Sequence, residues 1–400
     1  MKIALIAVCA AMGLVGLASA ALAENAPGVT ATEIKIGQTM PYSGPASAYS
    51  VLGKVEVAYF NMLSEQGGIN GRKVMLLSRD DGYQPAKAIE QVRKLIEQDQ
   101  VAFIFSSLGT PSNLAIRKYL NDKKIPQLFV ASGADIWGDP QHYPWTIGLL
   151  PSYRVESAID ARYVDKTKPG AKVAFLYQND PAGKEFLSGL MDVWGAGFSK
   201  HVVKAESYEV SDPTIDSAIV SLQASGANVL ITAATPKFGA MAIRKVAQLG
   251  WHPSFIVSYV MSSVAAVLTP AGLDNSVGLI TAQFSKDPTD PRWKDDPGLN
   301  AWRAFMTKYL PDVSLTDNNA IVGYMYAETL ARVLKQCGND LSRANIMKQA
   351  THLKGLHVDV LLPDVTIDTS PTNYHPIHQM QLSRFDGRSW VLFGDVISAN

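Results

Sequence analysis

The 400-residue chain combines 47% hydrophobic residues with 18% charged residues, a balance that is typical of globular proteins and excludes a disordered chain. Its 36 basic residues match its 36 acidic ones, so net charge gives no general attraction to nucleic acid or to an anionic membrane. This length predicts about two domains.

The first 23 residues predict an export signal. After a basic start, an apolar run covers residues 3–17, and the small-x-small motif at 21–23 predicts cleavage near Ala23. The alternative is a membrane anchor, which needs about 20 apolar residues and a stop-transfer flank, and no later segment is apolar enough to span. Cleavage leaves Cys337 as the single cysteine. We therefore predict a periplasmic protein without an intrachain disulfide.

Short apolar runs with strand character alternate with amphipathic helical stretches through the first two thirds of the chain. The predicted strands cover residues 34–40, 74–78, 101–105, 127–130, 173–177, 229–232 and 255–258. The predicted helices cover residues 48–65, 85–98, 112–121, 153–165, 182–194, 214–224 and 237–249. Such alternation gives parallel sheets with helices on both faces. Because the series restarts after Pro151 and Ser152, we predict an α/β fold of two doubly wound lobes.

The last third of the chain has a different pattern. It predicts helices at 301–310 and 320–336, then a Pro-rich stretch, then a terminal hairpin formed by 380–385 and 390–396 around Asp386 and Gly387. No long low-complexity linker separates the segments, so we expect several short crossings between the lobes.

Catalytic motifs are absent from the sequence, which contains no G-x-S-x-G, Walker, H-E-x-x-H, G-x-G-x-x-G or C-x-x-C pattern. We therefore predict a protein that is not an enzyme and that needs no cofactor. His375 and His378 could share a metal on a helix, but Pro376 between them favours an extended segment and surface or partly buried histidines. Asp80 and Asp81 follow a strand, where acids commonly begin the turn into the next helix.

The segment at 105–113 is the most informative local feature. A buried strand ends at Phe105, small polar residues with Gly109 form a loop, and Pro111 is well placed to start a helix. The free N–H groups and the positive dipole end of a helix start attract anions, and one glycine without lysine suits a carboxylate better than a polyphosphate. An ordinary hydroxyl-capped helix is the alternative. A second small-residue loop at 131–134 follows the next strand, and ligands bind at such adjacent loops in open α/β sheets.

Several motifs together resemble the periplasmic solute-binding proteins of the branched-chain amino acid ABC-transporter family, which have the type I periplasmic binding protein fold. These motifs are IKIG at 34–37, PYSGPA at 41–46, GGINGRKV at 67–74, DD at 80–81, YQND at 177–180 and VSDPT at 210–214. The resemblance covers essentially the whole mature chain. It implies two lobes joined by three crossovers and closing on a ligand about a hinge. The implied lobes are residues 24–146 with 284–375, and residues 147–283 with 376–400.

The resemblance also implies where the ligand binds. In one lobe the carboxylate would lie on two loops, with a tyrosine nearby, and the other lobe would close over it. The residues expected in the first lobe are Tyr42, Leu108, Gly109, Thr110, Ala131, Ser132 and Gly133. The residues expected to complete the site are Tyr153, Asp180, Ala182, Ala234, Thr235, Tyr259 and Phe284, whose aromatic members would line an apolar slot together with Tyr42.

The sequence departs from the amino-acid binders of this family at one informative place. Those proteins have an acid near 258–261 that holds the ligand ammonium, whereas this chain has none there. A buried ammonium without a carboxylate partner is costly. Ala234 stands where an aromatic residue is usual, which enlarges the cleft. These features resemble the aromatic-acid binders of the family.

We therefore predict a monomeric, exported solute-binding receptor that delivers an aromatic or hydrophobic carboxylate, similar to benzoate or a phenylpropanoid, to a membrane ABC permease. The alternative within the family is a receptor for branched-chain or other hydrophobic amino acids, because Asp180 could reach the ammonium in a closed cleft. An exported hydrolase and a receptor-linked sensor domain are the alternatives from other classes.

Overall fold

The structure of the protein is a computed structural model that describes residues 25–398. The predicted export signal at residues 1–23 lies outside the described residues. Between residues 25 and 398, none of the helices is long and apolar enough to cross a membrane.

The first lobe is built on a parallel sheet. Its strands are β1 (Glu33–Met40), β2 (Lys73–Asp80), β3 (Ile104–Phe105), β4 (Gln127–Val130) and β5 (Thr146–Gly148). They lie in the order β2-β1-β3-β4-β5, and every pairing is parallel. β4 is buried along its whole length, as expected for a strand that is covered by helices on both faces.

The second lobe is built on a larger, mixed sheet. Its strands are β6 (Val173–Gln178), β7 (Val202–Tyr208), β8 (Val229–Ala233), β9 (Ser254–Val257), β10 (Ile280–Gln283), β11 (Gln379–Phe385) and β12 (Trp390–Leu392), with β13 (Ile397–Ser398) paired to β11. The order is β12-β11-β10-β9-β8-β6-β7. The pairings from β7 to β10 are parallel, and the terminal strands β11 and β12 are antiparallel.

Helices cover both sheets. They are α1 (Ser50–Glu65), α2 (Pro85–Glu97), α3 (Thr110–Asp122), α4 (Tyr153–Thr167), α5 (Pro181–Trp194), α6 (Phe198–His201), α7 (Asp216–Ala224), α8 (Pro236–Gln248), α9 (Thr269–Ala271), α10 (Pro297–Tyr309), α11 (Asn318–Gln336) and α12 (Arg343–Ala350). Short 3-10 turns include Ser47–Tyr49, Asp135–Gly138 and Tyr259–Met261, and Val264–Leu268 is a single π-helical segment. Cys337 follows α11 and is buried.

The strand order places a topological switch point in each lobe. β1 lies between β2 and β3, and β6 lies between β7 and β8, so the loops after these strands diverge and leave a crevice at the carboxyl edge of each sheet. The chain crosses between the sheets after β5, after β10 and before β11, because α10 and α11 pack on α1 of the first lobe. The predicted two-lobed, doubly wound α/β fold is confirmed. The exact lobe boundaries stay predictions, and β5 extends the first sheet to Gly148, beyond the expected boundary at residue 146.

Several helices near the crossings have a side chain that caps the backbone N–H groups of their first turn. Ser152 accepts the N–H of Val155 at the start of α4, and Asp180 accepts the N–H of Gly183 at the start of α5. No side chain caps the starts of α3 and α8, although both have proline in the first turn. The N–H groups at these two starts therefore stay available to other partners.

Two carboxyl groups are buried one turn apart on α4. Glu156 accepts hydrogen bonds from Ser258 Oγ at 2.9 Å and from Tyr259 N at 2.6 Å. Asp160 Oδ1 has no hydrogen-bond partner within the described part of the chain. Burial raises the pKa of Asp160 to about 8, and burial together with the neighbouring Asp160 raises the pKa of Glu156. Asp160 is therefore protonated in the folded protein at neutral pH.

We expect Asp160→Asn to remove part of the pH dependence of stability. The pKa of this carboxyl is about 8 in the folded chain and roughly 4 in an unfolded chain, so folding takes up a proton and wild-type stability falls as pH rises towards the folded-state pKa. The variant should melt at a higher temperature than wild type at about pH 8 and at a similar temperature at about pH 5, as measured by circular dichroism. Asp312→Asn, at an exposed position, is the control. A variant that is less stable than wild type at the higher pH would contradict this expectation.

Candidate ligand-binding cleft

A cavity of about 100 Å³ lies between the two lobes, at the edges where the switch points meet. Its walls come from the β3–α3 loop, the end of β4, the starts of α4 and α5, the β8–α8 loop, the 3-10 turn after β9, the end of β10 and the start of α11. Loops at the carboxyl ends of parallel strands from both lobes therefore enclose one space.

Ten of the predicted ligand-binding residues line this cavity. They are Leu108, Gly109, Thr110, Ala131, Tyr153, Ala182, Ala234, Thr235, Tyr259 and Phe284. The structure thus brings together residues that are up to 176 positions apart, from Leu108 to Phe284. Their contact with a ligand stays a prediction.

The structure places two predicted residues of the first lobe behind the cavity wall. Ser132 Oγ lies 2.7 Å from Thr110 Oγ1 and supports that hydroxyl from behind. At Gly133 an added Cβ would lie 2.3 Å from Tyr259 Oη and 2.4 Å from Pro151 O, so only glycine allows the crossing and Tyr259 to approach this closely. Neither residue is among those that line the cavity.

Tyr42 and Asp180 are also not among the lining residues. The Tyr42 hydroxyl lies 2.7 Å from Ser78 Oγ, in a hydrogen-bond network within the first lobe. The Asp180 carboxylate accepts Gln178 Nε2 at 2.5 Å and the N–H of Gly183 at 2.9 Å. Its role in the structure is to cap α5, and burial raises the pKa of this carboxyl. The structure thus engages both side chains in hydrogen bonds beside the cavity, and their contact with a ligand stays a prediction.

Several hydrogen bonds hold the β3–α3 loop in place. Leu108 N donates to Thr39 O, Gly109 N donates to Ala131 O, and Asn113 Nδ2 donates to the Gly109 carbonyl at 2.8 Å. Gly109 has a φ of +98°, a conformation that favours glycine, and it directs the first turn of α3 towards the cavity. An uncapped, rigid helix start at Thr110 is an arrangement that can hold a carboxylate.

Aromatic rings from the second lobe and from the crossing after β10 form another wall. Tyr153 stacks on Phe186 with 4.6 Å between ring centroids, Tyr259 lies 5.8 Å from Tyr153, and Phe284 meets Tyr259 edge to face at 5.3 Å. The Tyr259 hydroxyl donates to Pro151 O at 2.9 Å, which fixes this ring. Burial raises the pKa of Tyr153 and of Tyr259, so both side chains stay neutral.

No charged side chain lines the cavity within the described chain. The buried Glu156 carboxyl is held by Ser258 and by the backbone of Tyr259, and Asp180 is engaged in its cap. The polar groups that do line the cavity are hydroxyls, side-chain amides and backbone. The cavity can therefore offer hydrogen bonds and a helix dipole to one charged group, but no counter-ion.

The two lobes touch across the cleft. Glu185 of α5 accepts backbone N–H groups from Asp135 and Ile136, at the start of a 3-10 turn in the first lobe, the second of these at 3.4 Å. Gln178 Nε2 donates to Tyr83 Oη at 3.4 Å, also between lobes. These contacts describe a closed arrangement. Burial raises the pKa of Glu185 to about 7; the N–H groups of Asp135 and Ile136 and the charge of Arg154 oppose that shift, and the Asp135 carboxylate adds to it.

Several lining residues were not predicted from the sequence, among them Tyr49, Tyr83, Phe186 and Gln283. Tyr83 reaches the cavity because Asp81 Oδ1 accepts its N–H at 2.8 Å in the turn after β2, which gives Tyr83 a φ of +61°. The acidic pair at 80–81 was interpreted only as the start of a turn. An aromatic residue in the turn directly after this acidic pair is the signal that could have identified Tyr83.

Comparison with known proteins gives a consistent result. A family model described as periplasmic binding protein matches residues 33–389. Leu/Ile/Val-binding protein homolog 1 of Brucella abortus (strain 2308) is 23% identical over 323 residues, which cover 77% of this chain and 80% of that protein.

Solved structures show the same fold. A branched chain amino acid ABC transporter protein from Thermus thermophilus with bound valine superimposes with a TM-score of 0.83 at 16% identity, over 92% of this chain and 97% of the other. A solute binding protein of an R. palustris ABC transporter, in complex with benzoate, superimposes with a TM-score of 0.76 at 19% identity, over 92% of this chain and 98% of the other.

The contact at Glu185 predicts that closure depends on pH. When the lobes separate, this carboxylate returns to water, where its pKa is roughly 4.3, whereas closure raises the pKa to about 7. Closure therefore takes up a proton, and lowering the pH from about 8 to about 6 should favour the closed state. Small-angle scattering of the ligand-free protein should give a smaller radius of gyration at the lower pH.

The variant Glu185→Gln should lose this pH response, because an amide does not titrate in this range. Glu97→Gln, at an exposed position on α2, should keep it. An identical response of wild type and Glu185→Gln would show that another group controls closure.

Proposed function

The chain belongs to the periplasmic binding protein family, and we propose that it is the solute receptor of a membrane ABC importer with an aromatic or hydrophobic carboxylate as its ligand. The family consists of binding proteins, so the chain is not an enzyme. We further propose that it is exported to the periplasm after cleavage near Ala23, that it acts as a monomer, and that it delivers its ligand to a permease.

The observation that carries the ligand class is the cavity wall, which combines an uncapped helix start with aromatic rings and has no charged side chain among the described residues. A carboxylate can take hydrogen bonds from the helix start at Thr110, and the rings of Tyr153, Tyr259 and Phe284 can enclose an apolar body. Both properties are found in one small aromatic acid.

An amino acid is the alternative ligand. The names of the Brucella abortus relative and of the Thermus thermophilus structure favour it. Its ammonium would need a carboxylate in the closed cleft, but Asp180 caps α5 and Glu156 is bonded within the second lobe. Leaving an ammonium unpaired in a closed cavity is unfavourable. This difference supports a ligand with a single charge.

We expect a matched pair of compounds to separate the two ligands. 3-Phenylpropionate and phenylalanine share the ring, the chain length and the carboxylate, and they differ by the α-ammonium. A ligand that binds only the folded state raises the melting temperature by mass action. Benzoate, cinnamate and 3-phenylpropionate should therefore raise it, while phenylalanine, leucine and valine at the same concentration should leave it unchanged. A shift with leucine alone would refute the aromatic-acid proposal and leave the family assignment intact.

The helix start at Thr110 can be tested separately. Thr110→Ala removes a buried hydroxyl beside the proposed carboxylate and should weaken benzoate or cinnamate binding by roughly 1.5 to 3 kcal/mol, the range for a hydrogen bond to a charged group. Isothermal titration calorimetry measures the change. Thr329→Ala is the matched control, because Thr329 is also a buried helical threonine and donates to Met325 O. Unchanged affinity in a folded Thr110→Ala protein would place the carboxylate elsewhere.

A further inference from the structure

A second polar surface lines the same cavity, on the side of the crossing that follows β10. It consists of Ser262, Gln283, Ser285 and Asn318, which we call the hinge-side polar group. Asn318 begins α11 of the first lobe and donates through Nδ2 to Ser262 Oγ of the second lobe at 2.5 Å. The group is thus contributed by both lobes.

A series of contacts through the aromatic wall connects Thr110 with the hinge-side polar group. Thr110 is hydrogen-bonded to Ser132, whose neighbour Gly133 packs against the hydroxyl end of Tyr259. The ring of Tyr259 then meets Phe284, which directly follows Gln283 in sequence. A ligand whose carboxylate lies at the start of α3 and whose ring lies along this wall would extend towards the hinge-side polar group.

Gln283 carries unused hydrogen-bonding capacity. Its side chain is buried, with 5% of the residue exposed, and its Nε2 has no hydrogen-bond partner in the described part of the chain. A buried amide nitrogen without a partner is unfavourable, and a native structure that retains one needs a reason. Since Gln283 also lines the cavity, a bound ligand can supply the missing partner.

The chemistry of the group selects the ligand substituent. The Gln283 amide can donate, and the Asn318 side chain has a carbonyl oxygen that can accept, besides the amide nitrogen that donates to Ser262. A hydroxyl both accepts and donates, so it can satisfy both amides. A charged substituent is disfavoured because the cavity wall of the described chain has no counter-ion.

We infer that the hinge-side polar group is a second subsite, which binds a neutral hydroxyl at the end of the ligand opposite its carboxylate. This inference rests on the proposed function, and it narrows the ligand from aromatic acids in general to hydroxylated aromatic acids. The aromatic wall then contacts the ring between two polar ends.

Calorimetry with two pairs of acids tests the inference on the unmodified protein. Benzoate is compared with 4-hydroxybenzoate, and cinnamate with 4-hydroxycinnamate. In at least one pair the hydroxylated acid should bind about tenfold more tightly, the effect of one well-placed hydrogen bond that also pairs a buried group. Equal or weaker binding of both hydroxylated acids would overturn the subsite while the carboxylate proposal stands. Failure of all four acids to bind would overturn both.

Gln283→Met tests the residue itself, because methionine has a similar length without the amide. It should abolish the preference for the hydroxylated acid, so that the two acids of each pair bind the variant with similar affinity. Gln381→Met is the matched control, since Gln381 is the register partner of Gln283 on β11 and its amide donates to Gly394 O, away from the cavity. A preference that survives in Gln283→Met would overturn the assignment. If that variant does not fold, Asn318→Leu gives the same comparison from the other lobe.

Discussion

The buried carboxyl of Glu56 fixes the loop on which the cleft depends. Ser106 Oγ donates to it at 2.6 Å, and Gln38 Nε2 donates both to this carboxyl and to the Ser106 carbonyl. Ser106 has a φ of +49°, which is unfavourable for a non-glycine residue and persists only where surrounding contacts enforce it. Burial raises the pKa of Glu56, and the hydrogen bonds from Ser106 and Gln38 oppose this shift. Tyr42 belongs to the same network through Ser78, and it therefore acts on the cleft from behind the loop.

The division of the site between lobes explains how recognition and closure are coupled. The first lobe contributes the rigid helix start at Thr110, and the second contributes the rings of Tyr153 and Tyr259. A ligand that contacts both surfaces stabilises only the arrangement in which they face each other. Binding of the ligand therefore shifts the equilibrium between the open and closed states towards the closed state. Glu185 adds a direct contact between the lobes, which stabilises the same arrangement independently of the ligand.

The sequence predicted the parts of the fold that have strong local signals. The predicted strands correspond to β1, β2, β3, β4, β6, β8 and β9 within a few residues, and the first and last of them agree closely. The edge strand β7 was missed because most of its residues are exposed and its polar side chains hide the strand pattern. β10 was missed because a strand of four residues, which ends at Gln283, is too short to show a clear hydrophobic periodicity. In the site, loops after strands were located from small residues and proline, whereas Asp180 and Glu185 depend on side-chain direction and on the facing lobe, which local sequence does not encode.

The single cysteine of the described chain has a practical consequence. Cys337 is buried behind α11, and burial raises the pKa of its thiol to about 12, so it reacts poorly with electrophiles. A cysteine introduced at an exposed site beside the interlobe contact, such as Lys184, would then be the one that accepts a thiol-reactive fluorophore. Because that position lies next to Glu185, the dye would report the approach of the lobes optically. The chain is in this respect already suited to conversion into a reagentless fluorescent sensor.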